Sequence, residues 1–263
     1  MAVCRRVNLE GISVSLDSLG ESVSDEAEAH AAAEVYHRLI DAIASGSLKA
    51  NVSLKLTQMG MDIRPELAEE IVGGIVDRAA RAGTFVRIDM ESSDYTEATI
   101  AMTERLHQRF PGAVGTVLQA YLYRTEQDTE RLLDEGIRIR LCKGAYKEPA
   151  EVAFPRKQDV DANYVKLMKR MATSGVFCGI ATHDERIVDE MVRFVRENGV
   201  PNEAFEFQML YGVRRDLQHQ LAKAGYGVRV YVPFGTAWYP YFMRRLAERP
   251  ANVVFVAKNM LRR

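Results

Sequence analysis

Short apolar, β-branched runs recur along the chain, separated by longer stretches in which apolar residues return every three or four positions. The first pattern predicts strands at 12–16 (ISVSL), 51–56 (NVSLKL), 84–89 (TFVRID), 114–122 (VGTVLQAYL), 137–142 (IRIRLC), 176–182 (VFCGIAT), 205–210 (FEFQML) and 226–232 (YGVRVYV). The second, as in DEAEAHAAAEVYHRLIDAIAS and DERIVDEMVRFVRENG, predicts amphipathic helices between them. Pro65, Asp94 and Asp184 fall near helix starts, and Gly83, Gly136, Gly199 and Gly225 near helix ends. Strands that alternate with helices pair in parallel through right-handed crossovers, and eight such units close into a (β/α)8 barrel. The competing architecture, an open doubly wound sheet, usually carries Gly-x-Gly-x-x-Gly after its first strand; here that stretch reads LDSLGES.

Length and composition agree with this architecture. A chain of 263 residues is the usual size of one barrel, so residues 1–263 are read as a single catalytic-size domain. Hydrophobic residues make up 47%, enough for a large core. The net charge of −1 gives no overall field that would draw the chain to nucleic acid. Cys4, Cys142 and Cys178 are odd in number and lack a Cys-x-x-Cys pair, which favours reduced thiols in a cytoplasmic-type compartment. No apolar run reaches the length of a membrane span, so any membrane contact is expected to be peripheral. His30, His37, His107, His183 and His219 form no His-Glu-x-x-His pattern, and no metal site is expected.

Barrel geometry sorts the polar residues, because active sites of this fold lie at the C-terminal ends of the strands. Reading off those ends gives Asp17, Glu21, Lys55, Asp89, Gln119, Arg140, Lys143, His183, Gln208 and Tyr231. Any one of them is equally well a loop cap; their convergence on one mouth is harder to attribute to capping. In the fifth strand, alternation puts Ile137, Ile139 and Leu141 on one side and Arg138, Arg140 and Cys142 on the other, and Gly144 then permits a close backbone approach. The segment YFMRRLAERPAN predicts a last helix that stops before Pro250. Adjacent helical residues project about 100° apart, so Arg244 and Arg245 would bracket a ligand from two directions. Tyr241 lies one turn before them, and Arg245 and Glu248 form an i, i+3 pair.

Together, VSLDSLGE, VSLKLTQMG, RIDME, QAYLYRT, RLCKGAYKEP, ATHDE, FEFQMLYG, VRVYVPFG and YFMRRLAERPAN resemble, in order, the proline dehydrogenase family, and more the short monofunctional bacterial form than the barrel of the large bifunctional one. The resemblance implies a distorted (β/α)8 barrel with its last helix placed over the C-terminal mouth. It implies FAD as cofactor, and oxidation of L-proline to 1-pyrroline-5-carboxylate by hydride transfer from the δ-carbon to flavin N5. A membrane quinone then reoxidises the flavin, so the enzyme is cytoplasmic, with peripheral contact at the inner face of the membrane.

Carried onto matching positions, the resemblance places Arg244, Arg245 and Lys55 on the substrate carboxylate. Tyr231, Tyr241 and Leu141 shape the ring pocket, with Asp89 and Tyr146 beside them. Glu21 is the glutamate that pairs with an arginine in the empty site, and Glu248 its companion in the ion-pair set. The FAD set is Gln119, Arg140, Cys142, Lys143, Gly144, Ala145, His183 and Gln208. Family members usually carry helices ahead of the barrel, whereas here the first strand is predicted from Ile12, which implies a form without them. Pro155 and Val160 stand where threonines are found in the bifunctional branch, and no cofactor contact is carried over there.

The chemistry of these residue types suits the assignment. A guanidinium offers parallel N–H donors that match a carboxylate, and a lysine adds a point charge from another side. Lys55, Arg140, Arg244 and Arg245 against Asp89, Glu21 and Glu248 leave one positive charge in excess, the complement of one substrate carboxylate. A folate-reductase-like flavin barrel would need room for a pterin and a nicotinamide, which the crowded tyrosine and arginine set opposes. A non-catalytic proline-sensing barrel would not need Arg140, CKGAY and His183 together.

Overall fold

The computed structural model describes residues 1–20 and 22–235. Eight parallel strands close into a barrel in sequence order: β1 (Ser13–Ser18), β2 (Ala50–Leu54), β3 (Val86–Ile88), β4 (Val114–Gln119), β5 (Arg138–Cys142), β6 (Cys178–Ala181), β7 (Phe205–Leu210) and β8 (Gly227–Phe234). β8 pairs with β1, Tyr231 opposite Ser15, which completes the closure. The helices are α1 (Ala2–Leu9), α2 (Glu26–Ser45), α3 (Pro65–Arg81), α4 (Thr96–Arg109), α5 (Thr125–Asp134), α6 (Lys157–Ala172), α7 (Glu185–Glu197) and α8 (Arg215–Lys223).

The predicted helix ends mostly hold. Pro65 opens α3, where its missing N–H costs nothing, and Gly83, Gly136, Gly199 and Gly225 all take left-handed φ just beyond their helices. Asp94 instead sits in a short 3₁₀ turn, and α4 begins at Thr96. The fourth strand stops at Gln119, earlier than its apolar pattern suggests, because Thr125 Oγ1 and the Leu122 N–H both bond to the Gln119 carbonyl and turn the chain. A helix also precedes the barrel: α1 inserts Cys4 and Val7 into the core beside β1.

Two faces of the barrel wall differ in chemistry. Val14, Leu16, Val52, Leu54, Val86, Ile88, Ile139, Leu141, Ile180, Phe207 and Val230 alternate with inward residues and are fully or nearly buried in the apolar core. Each such side chain contributes about 1.5–3 kcal/mol by leaving water, so this outer layer stabilises the fold. The inside of the barrel is polar. Arg87, Arg140, Arg229 and Glu206 cross it, and the opposing positions are small: Ser15, Ser53, Gly115 and Gly179. A Cβ on Gly115 would collide with the Arg138 carbonyl and crowd Arg87, and one on Gly179 would collide with the Gln208 amide. Most (β/α)8 interiors are packed with branched apolar side chains; here arginines lie across serines and glycines instead.

Candidate active site

Three strands meet at Asp89. It follows β3, and its backbone N–H donates to the Leu54 carbonyl at 2.8 Å, which fixes its position beside β2. Its Oδ1 accepts from Arg140 Nη1 at 2.8 Å and its Oδ2 from the Tyr231 hydroxyl at 3.0 Å. Arg140 reaches this point from β5 with every nitrogen engaged. Nε donates to Gln208 Oε1 at 2.5 Å, and Nη2 to the Ser15 and Ser53 hydroxyls at 3.3 and 3.2 Å. Its guanidinium carbon lies 5.4 Å from the centre of the Tyr231 ring, within cation–π range. Side-chain exposure of Arg140 and Asp89 is 8% and 13%. A pair so enclosed adds little net stability relative to apolar residues, but it holds both groups in one geometry.

Asp17, at the end of β1, is completely buried. Its Oδ2 lies 3.6 Å from Lys55 Nζ, and its Oδ1 accepts from the Tyr36 hydroxyl at 3.4 Å. Burial pushes its carboxyl above the ordinary carboxylate range; Lys55 opposes that rise and Asp89 adds to it. Lys55 itself emerges just after β2 at the mouth, 8% exposed.

The loop after β5 forms the opposite wall. Lys143 Nζ bridges Asp161 of α6 at 2.6 Å and Asp184, the residue before α7, at 3.0 Å. Burial is the largest single influence and would raise both carboxyls, but the hydrogen bonds and charge of Lys143 and Lys157 together outweigh it and hold both below their usual value. Gly144 has φ +116°, and a Cβ there would stand 2.5 Å from the Tyr121 ring. The glycine therefore admits Tyr121 from within the chain, a reason the sequence did not reveal. Ala145 is exposed and Tyr146 half-buried, its backbone beside the Tyr121 hydroxyl. Cys142 Sγ donates weakly to the Leu118 carbonyl at 3.5 Å. Gln119 is buried, its amide donating to the Glu91 carbonyl at 2.7 Å. His183 Nε2 accepts the Leu210 N–H at 2.9 Å, so the neutral ring carries its proton on Nδ1.

Most of the predicted set thus lies around one mouth: Lys55, Asp89, Gln119, Arg140, Cys142, Lys143, Gly144, Ala145, Tyr146, His183, Gln208 and Tyr231 sit in or just after the C-terminal ends of their strands. Leu141 does not. It alternates with the inward Arg140, is fully buried in the layer between sheet and helices, and its carbonyl accepts from Tyr164 of α6. The residue at the rim is Leu210: it shares a face with Gln208, pairs in register with Tyr231 and is partly exposed. Counting by twos from Gln208 would have found it. Asp17, Glu206 and Arg229 were also missed as members of the charge set. Glu21, Tyr241, Arg244, Arg245 and Glu248 lie outside the described residues.

A separate cleft of about 600 Å³ opens at the other end of the barrel, among the loops that precede the strands. It is lined by Lys49, Arg138 and Arg229 and by the segments that follow α2, α3 and α4. Among the described residues no group of three or more His, Cys, Asp or Glu side chains is arranged to hold a metal ion, and no helix is long and apolar enough to cross a membrane.

Known proteins with this sequence and shape point one way. The chain is 44% identical over 259 residues to proline dehydrogenase 1 of Bacillus subtilis subsp. natto, covering 98% of this chain and 85% of that one. It is 44% identical over 258 residues to the proline dehydrogenase of Deinococcus radiodurans, covering 96% and 83%. Against the bifunctional protein PutA of Escherichia coli identity falls to 26%, over 97% of this chain and 23% of that one. Among solved structures, proline utilization A of Bdellovibrio bacteriovorus inactivated by N-propargylglycine superposes with a TM-score of 0.87 at 24% identity, over 93% of this chain and 31% of that one. The family model described as proline dehydrogenase matches residues 1–258, and the chain belongs to the proline dehydrogenase family.

Proposed function

We propose that this chain oxidises L-proline to 1-pyrroline-5-carboxylate, the first step of proline catabolism, as an FAD-dependent enzyme in the cytoplasm that meets its quinone acceptor peripherally at the inner face of the membrane. The observation that carries this reading is the convergence of Arg140 and Tyr231 on Asp89, in a chain of this family. The donor set fits a flavin. Arg140 and Lys143 are cations three residues apart along one strand end, flanked by the amides of Gln119 and Gln208 and by the exposed backbone at Ala145. When bound there, FAD supplies a two-electron acceptor at N5 that a quinone later reoxidises.

The chain's own residues do the rest. Lys55, with Arg244 and Arg245, grips the proline carboxylate; at 4 Å and an effective dielectric near 20 each contact has a gross Coulomb term of about 4 kcal/mol before desolvation. Gripping alone is uniform binding, and it raises turnover only by placing the δ-carbon for transfer. Tyr231, Tyr241 and Leu210 form the walls around the ring. Both oxygens of Asp89 are already bonded to Arg140 and Tyr231, so Asp89 serves first as an electrostatic partner. The ammonium proton, which must leave before the C=N bond forms, passes most simply to water. Arg140 offers fixed positive charge where negative charge accumulates. Glu21 and Glu248 balance the arginine pair when proline is absent, and exchange of Glu21 for the carboxylate gates the site. Arg245→Met tests the grip: KM for proline should rise by orders of magnitude while the folded chain keeps its cofactor. An unchanged KM removes Arg245 from the substrate site.

A further inference from the structure

Below Arg140 the barrel interior holds a buried carboxylate that no mechanistic role has yet used. Glu206 and Gln208, two residues apart on β7, are both 6% exposed and point into the barrel. Gln208 is the swing group. Its Nε2 donates to Glu206 Oε1 at 2.7 Å, and its Oε1 accepts from Arg140 Nε at 2.5 Å. An amide has two orientations that differ little in shape, so its neighbours decide between them. Glu206 can only accept and Arg140 can only donate. With the amide reversed, carbonyl would face carboxylate and NH2 would face guanidinium, two mismatches away from water.

Glu206 is held in turn. Arg229 Nε donates to its Oε1 at 2.5 Å, while Arg229 Nη1 is anchored on the Val14 carbonyl at 2.8 Å and Asn51 Oδ1 at 3.1 Å. Gly179 on β6 leaves the space the Gln208 amide occupies. One connected set of hydrogen bonds therefore links the floor of the barrel to its mouth: Glu206 accepts from Arg229 below and from Gln208 above, and Arg140 donates to Gln208 on one side and to Asp89 on the other.

We infer that Glu206 is a positioning residue: by fixing the orientation of the Gln208 amide it sets the tilt of the Arg140 guanidinium, and so the placement of Asp89 and Tyr231 at the mouth. The consequence for turnover rests on Arg140 lying at the flavin side of the site, as proposed above. Without an acceptor at 206, Gln208 is free to turn, Arg140 Nε loses its partner for part of the time, and the pair with Asp89 loosens.

Two readouts separate this role from a structural one. The first is the ¹H–¹⁵N resonance of Arg140 Nε, whose exchange with solvent should be strongly retarded in the wild type. Glu206→Leu, which removes the oxygen that accepts from both Gln208 and Arg229, should speed that exchange at least tenfold, and lower kcat/KM between about 10- and 100-fold, the loss expected from a misplaced reacting geometry, with FAD still retained on gel filtration. The swap Glu206→Gln with Gln208→Glu should recover most of both. The new amide at 206 accepts from Arg229 and donates to the new carboxylate at 208, which accepts from Arg140, so the bond between 206 and 208 reverses but every donor again meets an acceptor. Should Glu206→Leu fold poorly because Arg229 loses its counter-charge, the pair Glu206→Leu with Arg229→Met removes that charge and leaves the prediction for Arg140 standing. Wild-type exchange at Arg140 Nε in Glu206→Leu overturns the inference, as does a swap no better than the single variant. Arg140→Met serves as the control. If it leaves turnover unchanged, the functional reading of Arg140 fails, and the role of Glu206 in turnover with it; if it abolishes turnover while Glu206→Leu matches the wild type, only the positioning role fails.

Discussion

The Tyr231 hydroxyl donates to Asp89 Oδ2 at 3.0 Å while Arg140 occupies the other oxygen of the same carboxylate. Residues from β8, β5 and the end of β3 are thereby locked into one unit, and Tyr231 is the member with an exposed edge. Tyr231→Phe removes one hydrogen bond to a charged acceptor, an interaction of about 1.5–3 kcal/mol, and keeps the ring. It should lower kcat/KM for proline by about tenfold, and the ratio of hydroxyproline to proline turnover should rise as the polar edge is lost. Steady-state rates with both substrates check this; identical rates for wild type and variant would detach Tyr231 from the site.

Asp17 gives a pH dependence of definite sign. Its folded-state pKa lies above the ordinary 3.8, chiefly through burial. The native state then binds this proton more tightly than the unfolded chain does, so the group favours folding below about 3.8 and that contribution is lost as pH rises through the raised folded value. Asp17→Asn cannot ionise. Its melting temperature relative to wild type should therefore become more favourable between about pH 4 and about pH 8. A difference that is flat or falls over that range contradicts the assignment.

Gly144 tests the proposed cofactor wall. Its φ of +116° is a conformation side chains rarely adopt, and a Cβ would stand 2.5 Å from Tyr121. Gly144→Ala should cost about 1–3 kcal/mol of strain and shift the loop that carries Lys143. Urea melts and FAD retention on gel filtration would both fall. Adding Tyr121→Ala should relieve the collision but not the dihedral strain, giving partial recovery.

The fold was legible because the helix-facing side of each strand is almost uniformly Val, Ile, Leu or Phe, from Val14 to Val230, so every strand announced itself. The eight-residue α1 was not legible: its Val3, Cys4 and Val7 make too short a stripe to stand out. That Asp89, Arg140 and Tyr231 come together at one end of the barrel was legible because position along a barrel strand carries meaning. Leu141 was assigned to the pocket on resemblance although alternation set it opposite Arg140, and alternation was right. The interior charges escaped for a different reason. Arg229 meets Asn51 across 178 residues and Arg140 meets Ser15 across 125, so their partners cannot be read from local spacing. A charged residue inside a strand ordinarily signals an exposed edge, whereas here Glu206 and Arg229 face each other inside a closed barrel.

The central claim is that these convergent groups hold a flavin against a cyclic imino acid, and the visible spectrum tests it directly. Purified chain supplied with FAD should retain it after gel filtration and display the oxidised-flavin band. Anaerobic addition of L-proline should bleach that band, and a quinone should restore it. A well-folded preparation that takes up no FAD, or one whose bound flavin is untouched by proline, would contradict the account.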